Sequence, residues 1–307
     1  MSVADRAGAT AALPLAAAID ALLGEPPAVV HPVVWMGKAI GVAEGALQRG
    51  SPLVQLFGGA LLAGGGAAIC YAGGVAIDRL TAGRVWLLPL RALVLKCCLA
   101  WRALDLAAAR VEVSLGVGDL AGARDGLRWL VSRETVGLSA EQVAAAAVES
   151  VAENFSDSLI GPALAYSAGG LGGALAYRWL NTADAMIGYR GRYEWIGKTA
   201  ARLDDFANLV PARLAALLLI AAGPDRRAGL MALGRDRGQT ASPNAGWPMA
   251  AMAGLLGRAL EKPGHYRLNA GAPAPDAADI AAARRTARLA WLILLAAFLL
   301  AHLAWRR

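Results

Sequence analysis

The chain has 307 residues, of which 57% are apolar, and its 36 glycines come on top of that share. Charged residues are only 17%, against about 25% in an average soluble chain, and mean hydropathy is +0.46. A disordered tail and a coiled coil are excluded, and too little polar surface remains to cover a water-soluble globule. The net charge of +7 fits Arg-rich loops beside an anionic inner leaflet better than a nucleic-acid surface. Alanine inflates any hydrophobic count, so uninterrupted apolar runs decide the class.

Residues 7–23 are apolar except for Asp20, which interrupts any secretory-signal core, so they read as an uncleaved first membrane segment. Residues 53–77 are 25 residues without charge, enough to cross about 30 Å of hydrocarbon. Residues 85–101 are apolar but carry Arg91 and Lys96, which could snorkel. Residues 158–177 and 209–223 are less regular: the first holds Pro162 and a Gly169-x-x-x-Gly173 spacing, the second Pro211 and Arg213. Residues 289–305 form the last apolar run, with His302 expected to pack inside it. Cys70, Cys97 and Cys98 all lie in such runs, without C-x-x-C spacing, and read as packing residues.

The loops constrain the topology. Residues 102–157 hold five Lys/Arg, 178–208 five and 224–288 ten, and the positive-inside rule puts all three in the cytoplasm. Simple alternation would send 178–208 outside, so 158–177 and 209–223 are expected to form a re-entrant pair. Residues 102–157 read as a soluble helical insert: Leu104, Ala108, Val111 and Leu115 share a helix face, 116–119 break it, and Ser139 with Gln142 makes a capping box. No strand periodicity is visible. The expected fold is all-α: one polytopic membrane domain over 1–307, with a cytosolic helical hairpin and motif-rich cytosolic loops.

Four polar clusters abut the apolar segments, where charge is costly. In Glu149-Ser150-Val151-Ala152-Glu153-Asn154-Phe155-Ser156-Asp157 the three acids are four apart, share one helix face and repel one another. A cation relieves that, and oxygen ligands suit Mg²⁺. A solvated acidic face, or pairing with arginine, is the bland alternative. The second cluster is Asn181-Thr182-Ala183-Asp184, continuing to Arg190. In the third, adjacent Asp204 and Asp205 point to different helix faces. The fourth, residues 234–248, includes Arg235, Asp236, Arg237, Ser242, Asn244 and Trp247; it mixes cations, hydroxyls and turn residues as a phosphate-contacting loop would, or a structured connection. There is no P-loop, no G-x-G-x-x-G after a strand, no nucleophile elbow and no H-E-x-x-H.

Taken in order, Asp20…Gly24-Glu25-Pro26-Pro27…His31-Pro32-Val33, the 149–157 run, residues 181–190, residues 204–213 and Ser242-Pro243-Asn244-Ala245-Gly246-Trp247-Pro248 resemble the adenosylcobinamide-phosphate synthases of cobalamin biosynthesis. The likeness runs from about residue 13 to 305. It implies a multi-pass protein of the cell inner membrane with its active face in the cytoplasm. It implies ATP-dependent amide ligation of an amino-alcohol phosphate (aminopropanol or ethanolamine phosphate) to adenosylcobyric acid, with Mg²⁺. It also implies lipid, not nucleic acid, as surroundings, and suggests a complex with other late corrinoid-pathway membrane enzymes. On that reading Glu149, Glu153, Asp157, Asp184 and Asp204 are the catalytic candidates, with Glu153 and Asp157 as metal ligands. The substrate-binding candidates are His31, Asn154, Asn181, Arg190, Arg235, Asp236, Arg237, Ser242, Asn244 and Trp247. The competing reading is a corrinoid transporter or sensor without turnover, against which stand the loop position of the motifs and the lack of an inverted repeat.

Overall fold

The computed structural model describes residues 3–305 and, of their side chains, those of 11–301, 303 and 304. The expected packing of His302 lies outside that set. The helices, in chain order, are α1 (Val3–Leu23), α2 (Pro32–Leu47), α3 (Pro52–Ala60), α4 (Gly66–Thr81), α5 (Leu88–Lys96), α6 (Trp101–Gly116) and α7 (Leu120–Leu127). They continue with α8 (Ala140–Phe155), α9 (Gly161–Ile187), α10 (Lys198–Ala207), α11 (Leu209–Ala222), α12 (Arg226–Asp236), α13 (Gly246–Leu256) and α14 (Ala277–Trp305). One short hairpin, β1 (Leu260–Lys262) against β2 (Tyr266–Leu268), corrects the strand-free expectation. Three residues per strand are too few for a period-2 pattern to register.

Membrane character rests on length and exposure. A π turn at Leu61–Gly65 joins α3 to α4, giving a 30-residue apolar helix, Pro52–Thr81, whose apolar window is only 11% buried. Leu53, Phe57, Leu61 and Ile69 stand exposed along it, as lipid-facing residues do. The second apolar stretch long enough to cross is Ala140–Ile187, and α10 with α11 passes as a third if the bent pair is one span. The protein is thus a mostly helical membrane protein. The expected span over 85–101 is instead a 3₁₀ turn, Val85–Leu87, followed by the nine-residue α5, roughly 14 Å long. Its two cations do not snorkel. Arg91 bonds Asp78, and Lys96 pairs with Glu25 and Asp20, so internal partners hold the segment.

The chain divides into two compact units, each assembled from separated stretches: 1–100 with 161–208 and 297–307, and 101–160 with 209–296. In the first, α4 crosses α9 at its glycines. A Cβ on Gly74 would sit 2.3 Å from the Gly172 nitrogen, so the close approach uses Gly172 rather than the Gly169–Gly173 pair. The reason is that α9 is broken there. Gly169 and Gly170 leave helical geometry, Gly170 at φ 62°, a conformation open to glycine at no steric cost. Asp78 of α4 accepts the Leu171 N–H at 2.8 Å, capping the resumed helix from a neighbour. The π turn at 61–65 likewise frees a carbonyl, and Leu62 O accepts from Trp179 Nε1 at 3.1 Å.

In the second unit the expected helices of the 102–157 insert are present as α6, α7 and α8. Asp119 caps α7 through the Gly122 N–H, and the Ser139–Gln142 capping box opens α8. Ala216 and Ile220 of α11, Leu233 of α12 and Ala251 of α13 form a core cluster, with Trp247 packed against it.

Candidate active site

Helix α8 carries two polar rows down one side. Ser150, Asn154 and Ser158 form the inner row: Ser150 Oγ donates to Leu130 O at 2.8 Å, and Asn154 Nδ2 donates to Ser150 O at 3.1 Å. Beside it run Glu149, Glu153 and Asp157. The helix ends at Phe155 and passes into a π turn, Ser156–Ile160, so Asp157 is wound away from the even four-residue spacing. Glu149 is buried and takes Arg133 as its ion partner, NH2 to Oε2 at 3.4 Å. Its Oε1 is buried without a hydrogen-bond partner. The Tyr266 hydroxyl reaches Met249 Sδ at 3.8 Å, and Tyr266, Glu153 and Lys262 act electrostatically on this carboxylate. Burial first, then the Glu149 and Glu153 charges, push the Tyr266 phenol above its ordinary value, so it stays a neutral donor. Lys262 and Tyr266 face each other across the hairpin, and β1 packs against α8.

The 234–248 loop separates into two parts. Arg235 gives its fork to Asp236, Nε to Oδ1 at 2.9 Å and NH2 to Oδ2 at 2.7 Å, and adds Asn269. Buried Asp236 also accepts from the Asn269 N–H at 2.7 Å and from Gln239 at 2.8 Å. This pair ties α12 to the end of the hairpin. Arg237 instead lies over Trp247, as does Arg213. Ser242 accepts from the Asn244 N–H, and buried Asn244 accepts from Arg213.

The first unit holds its own polar clusters. Asp204 is buried on α10 and accepts from Asn208 Nδ2 at 3.0 Å, with Asn181 and the Asp184 and Asp205 charges acting on it. Its Oδ1 has no hydrogen-bond partner. Asn208 in turn accepts from Tyr177 at 2.6 Å. As its spacing requires, Asp205 is turned away and only half-buried. Arg190 stands exposed in the turn after α9. Farther along this unit, His31 caps α2, accepting the Val33 N–H through Nδ1 and donating from Nε2 to Glu25 at 2.8 Å. Burial alone would raise Glu25, but bonds from His31 and Lys96 hold it below the usual carboxylate range.

Among the described residues, no group of three or more His, Cys, Asp or Glu side chains is arranged as a metal-binding set. A model of the CobD/Cbib protein family matches residues 13–302. The chain belongs to that family. Among CobD/Cbib relatives, the "Cobalamin biosynthesis protein CobD" of Dehalococcoides mccartyi is 41% identical over 260 residues, covering 83% of this chain and 84% of its own. That of Sinorhizobium fredii is 42% identical over 274 residues, covering 83% and 82%. The "Probable cobalamin biosynthesis protein CobD" of Thermococcus kodakarensis is 38% identical over 280 residues, covering 91% and 90%. No solved structure matches. Sequence reasoning did not reach Arg133, Tyr266, Tyr177 and Asn208 as site residues. Arg133 and Tyr177 meet their partners only through long-range packing, whereas Asn208 lies one helical turn from Asp204, a spacing that local reading could have used. For Lys96 and Arg213 the signal existed: a lone cation in an apolar run.

Proposed function

We propose that this protein is an enzyme of cobalamin biosynthesis. It joins an amino-alcohol phosphate to a propionate carboxylate of adenosylcobyric acid in an ATP-dependent amide ligation, from the cytoplasmic face of the inner membrane. The observation that carries the reading is the α8 carboxylate row, with Glu149 Oε1 buried and unpartnered beside Glu153. A buried carboxylate oxygen without a donor is costly, and a hard cation meets that need. Mg²⁺ usually takes one or two carboxylates, with substrate phosphates completing its shell, so the row fits it. Glu153, flanked by Glu149 and Asp157, would hold Mg²⁺, which when bound would neutralise the phosphates of ATP and favour transfer to the carboxylate.

The chain's own groups do the rest. Arg133 pairs with Glu149 and holds it in place. A carboxylate of this row outside the metal's shell takes the proton that the ammonium must lose before its nitrogen attacks the acyl phosphate carbon and phosphate leaves.

Full-length protein in detergent, given adenosylcobyric acid, ATP, Mg²⁺ and each amine separately, should form the amide without a membrane gradient. Corrinoid movement into vesicles without ATP or amine consumption would establish the transporter reading instead.

A further inference from the structure

Arg213 of α11 and Arg237 after α12 converge on one indole. Their guanidinium carbons lie 4.5 Å and 5.2 Å from the Trp247 ring centroid. Gly246 accounts for the second approach. A Cβ there would sit 2.2 Å from the Arg237 carbonyl oxygen, so the bare backbone lets residue 237 pass beside the first turn of α13, next to Trp247. The ring attracts each cation but neutralises neither. Among the described residues, no carboxylate pairs with either arginine, although Arg235 close by has Asp236.

Their hydrogen bonds leave the same donors unused on each. Arg213 uses NH1 alone, to Leu209 O at 2.7 Å and Asn244 Oδ1 at 2.9 Å. Arg237 also uses NH1 alone, to Gly234 O at 2.7 Å and Leu233 O at 3.4 Å. The acceptors are all uncharged, and on each guanidinium Nε and the second terminal nitrogen have none among the described residues. Two uncompensated cations, each presenting the donor pair that phosphate oxygens accept, make an anion seat.

We propose that Arg213 and Arg237, held over Trp247, bind a phosphate group. Two sources share that chemistry: the phosphomonoester of the amine substrate and the polyphosphate of ATP. Which phosphate matters to turnover rests on the ligation reading above, but anion binding does not.

The test is calorimetric titration of the full-length protein in detergent, with inorganic pyrophosphate in one arm and O-phosphoethanolamine in the other. Arg213→Gln and Arg237→Gln should each weaken one arm about tenfold or more. Arg213→Lys, which keeps the charge but loses the fork, should fall between. Arg227→Gln, an exposed cation on α12, should change neither arm. Loss confined to pyrophosphate assigns the seat to the nucleotide, and loss confined to phosphoethanolamine assigns it to the amine. Binding equal to wild type in Arg237→Gln and Arg213→Lys, or no binding of either anion by wild type, overturns the proposal. Because the readout is binding, a protein without ligase turnover would still report the anion seat.

Discussion

Glu153 and Glu149 sit one helical turn apart yet have different surroundings. Glu149 is buried against Arg133, while Glu153 is half-buried. Glu153→Gln should therefore lower ATP-dependent amide formation by about 10²-fold or more while the protein stays in the membrane fraction. Arg133→Ala leaves a buried carboxylate without its cation and should cost about 3 kcal/mol, read by thermal unfolding in detergent. Replacing both Arg133 and Glu149 by Leu should recover most of that stability. Asp236 gives a pH signature. Burial pushes its carboxyl up, but the Arg235 fork, the Asn269 N–H and Gln239 outweigh it and hold the group below the usual range. The unfolded chain binds the proton near about pH 3.9, the folded chain only at lower pH. The stabilisation is thus complete above the ordinary carboxylate range and is lost as pH falls through it toward the folded value. Asp236→Asn should flatten that acid limb in melting curves between roughly pH 3 and 6. At this scale the sequence showed which residues are chemically expensive, but not their partners. Arg235 and Arg237 look alike in the chain, and only the fold reveals that one is neutralised.

Elements were legible where the code is local. The Ser139 cap, the 116–119 break and the long apolar run through residue 77 are each written in neighbouring residues, and each forms. Features that depend on a second helix were not legible. Nothing within four residues of Gly170 announces that Asp78 will cap the resumed turn, and nothing near Ser156 announces a π turn. Residues 85–101 failed as a span for the same reason: Arg91 and Lys96 pair with the Asp78 and Glu25 carboxylates, 13 and 71 residues away. The α4–α9 crossing carries its own prediction. Gly74→Ala places a methyl group where the Gly172 backbone lies and should destabilise the protein by about 1–3 kcal/mol, seen as a lower melting temperature in detergent.

Across the whole molecule, composition announces a membrane protein, but the partition into two units is invisible in sequence because both are discontinuous. Propensity and hydropathy act over ten or twenty residues, and they cannot say that 1–100 will close against 161–208. The charge pattern still makes a topological statement that can be checked. In a background lacking the three native cysteines, Glu194→Cys, exposed in the turn before α10, should react with an impermeant maleimide in inverted vesicles and stay unlabelled in intact cells. The opposite pattern would put 178–208 outside and remove the Asp184–Asp204 cluster from the cytoplasmic side.

The broken helix α9 offers a spectroscopic handle. Where the chain restarts after Gly170, the Leu171 amide proton is held by a carboxylate of another helix rather than by its own preceding turn. Its exchange with deuterium therefore times the parting of α4 from α9 and is blind to fraying of either helix alone. A single peptide spanning 169–173 in a mass-spectrometric exchange run would report on how firmly the first unit is closed.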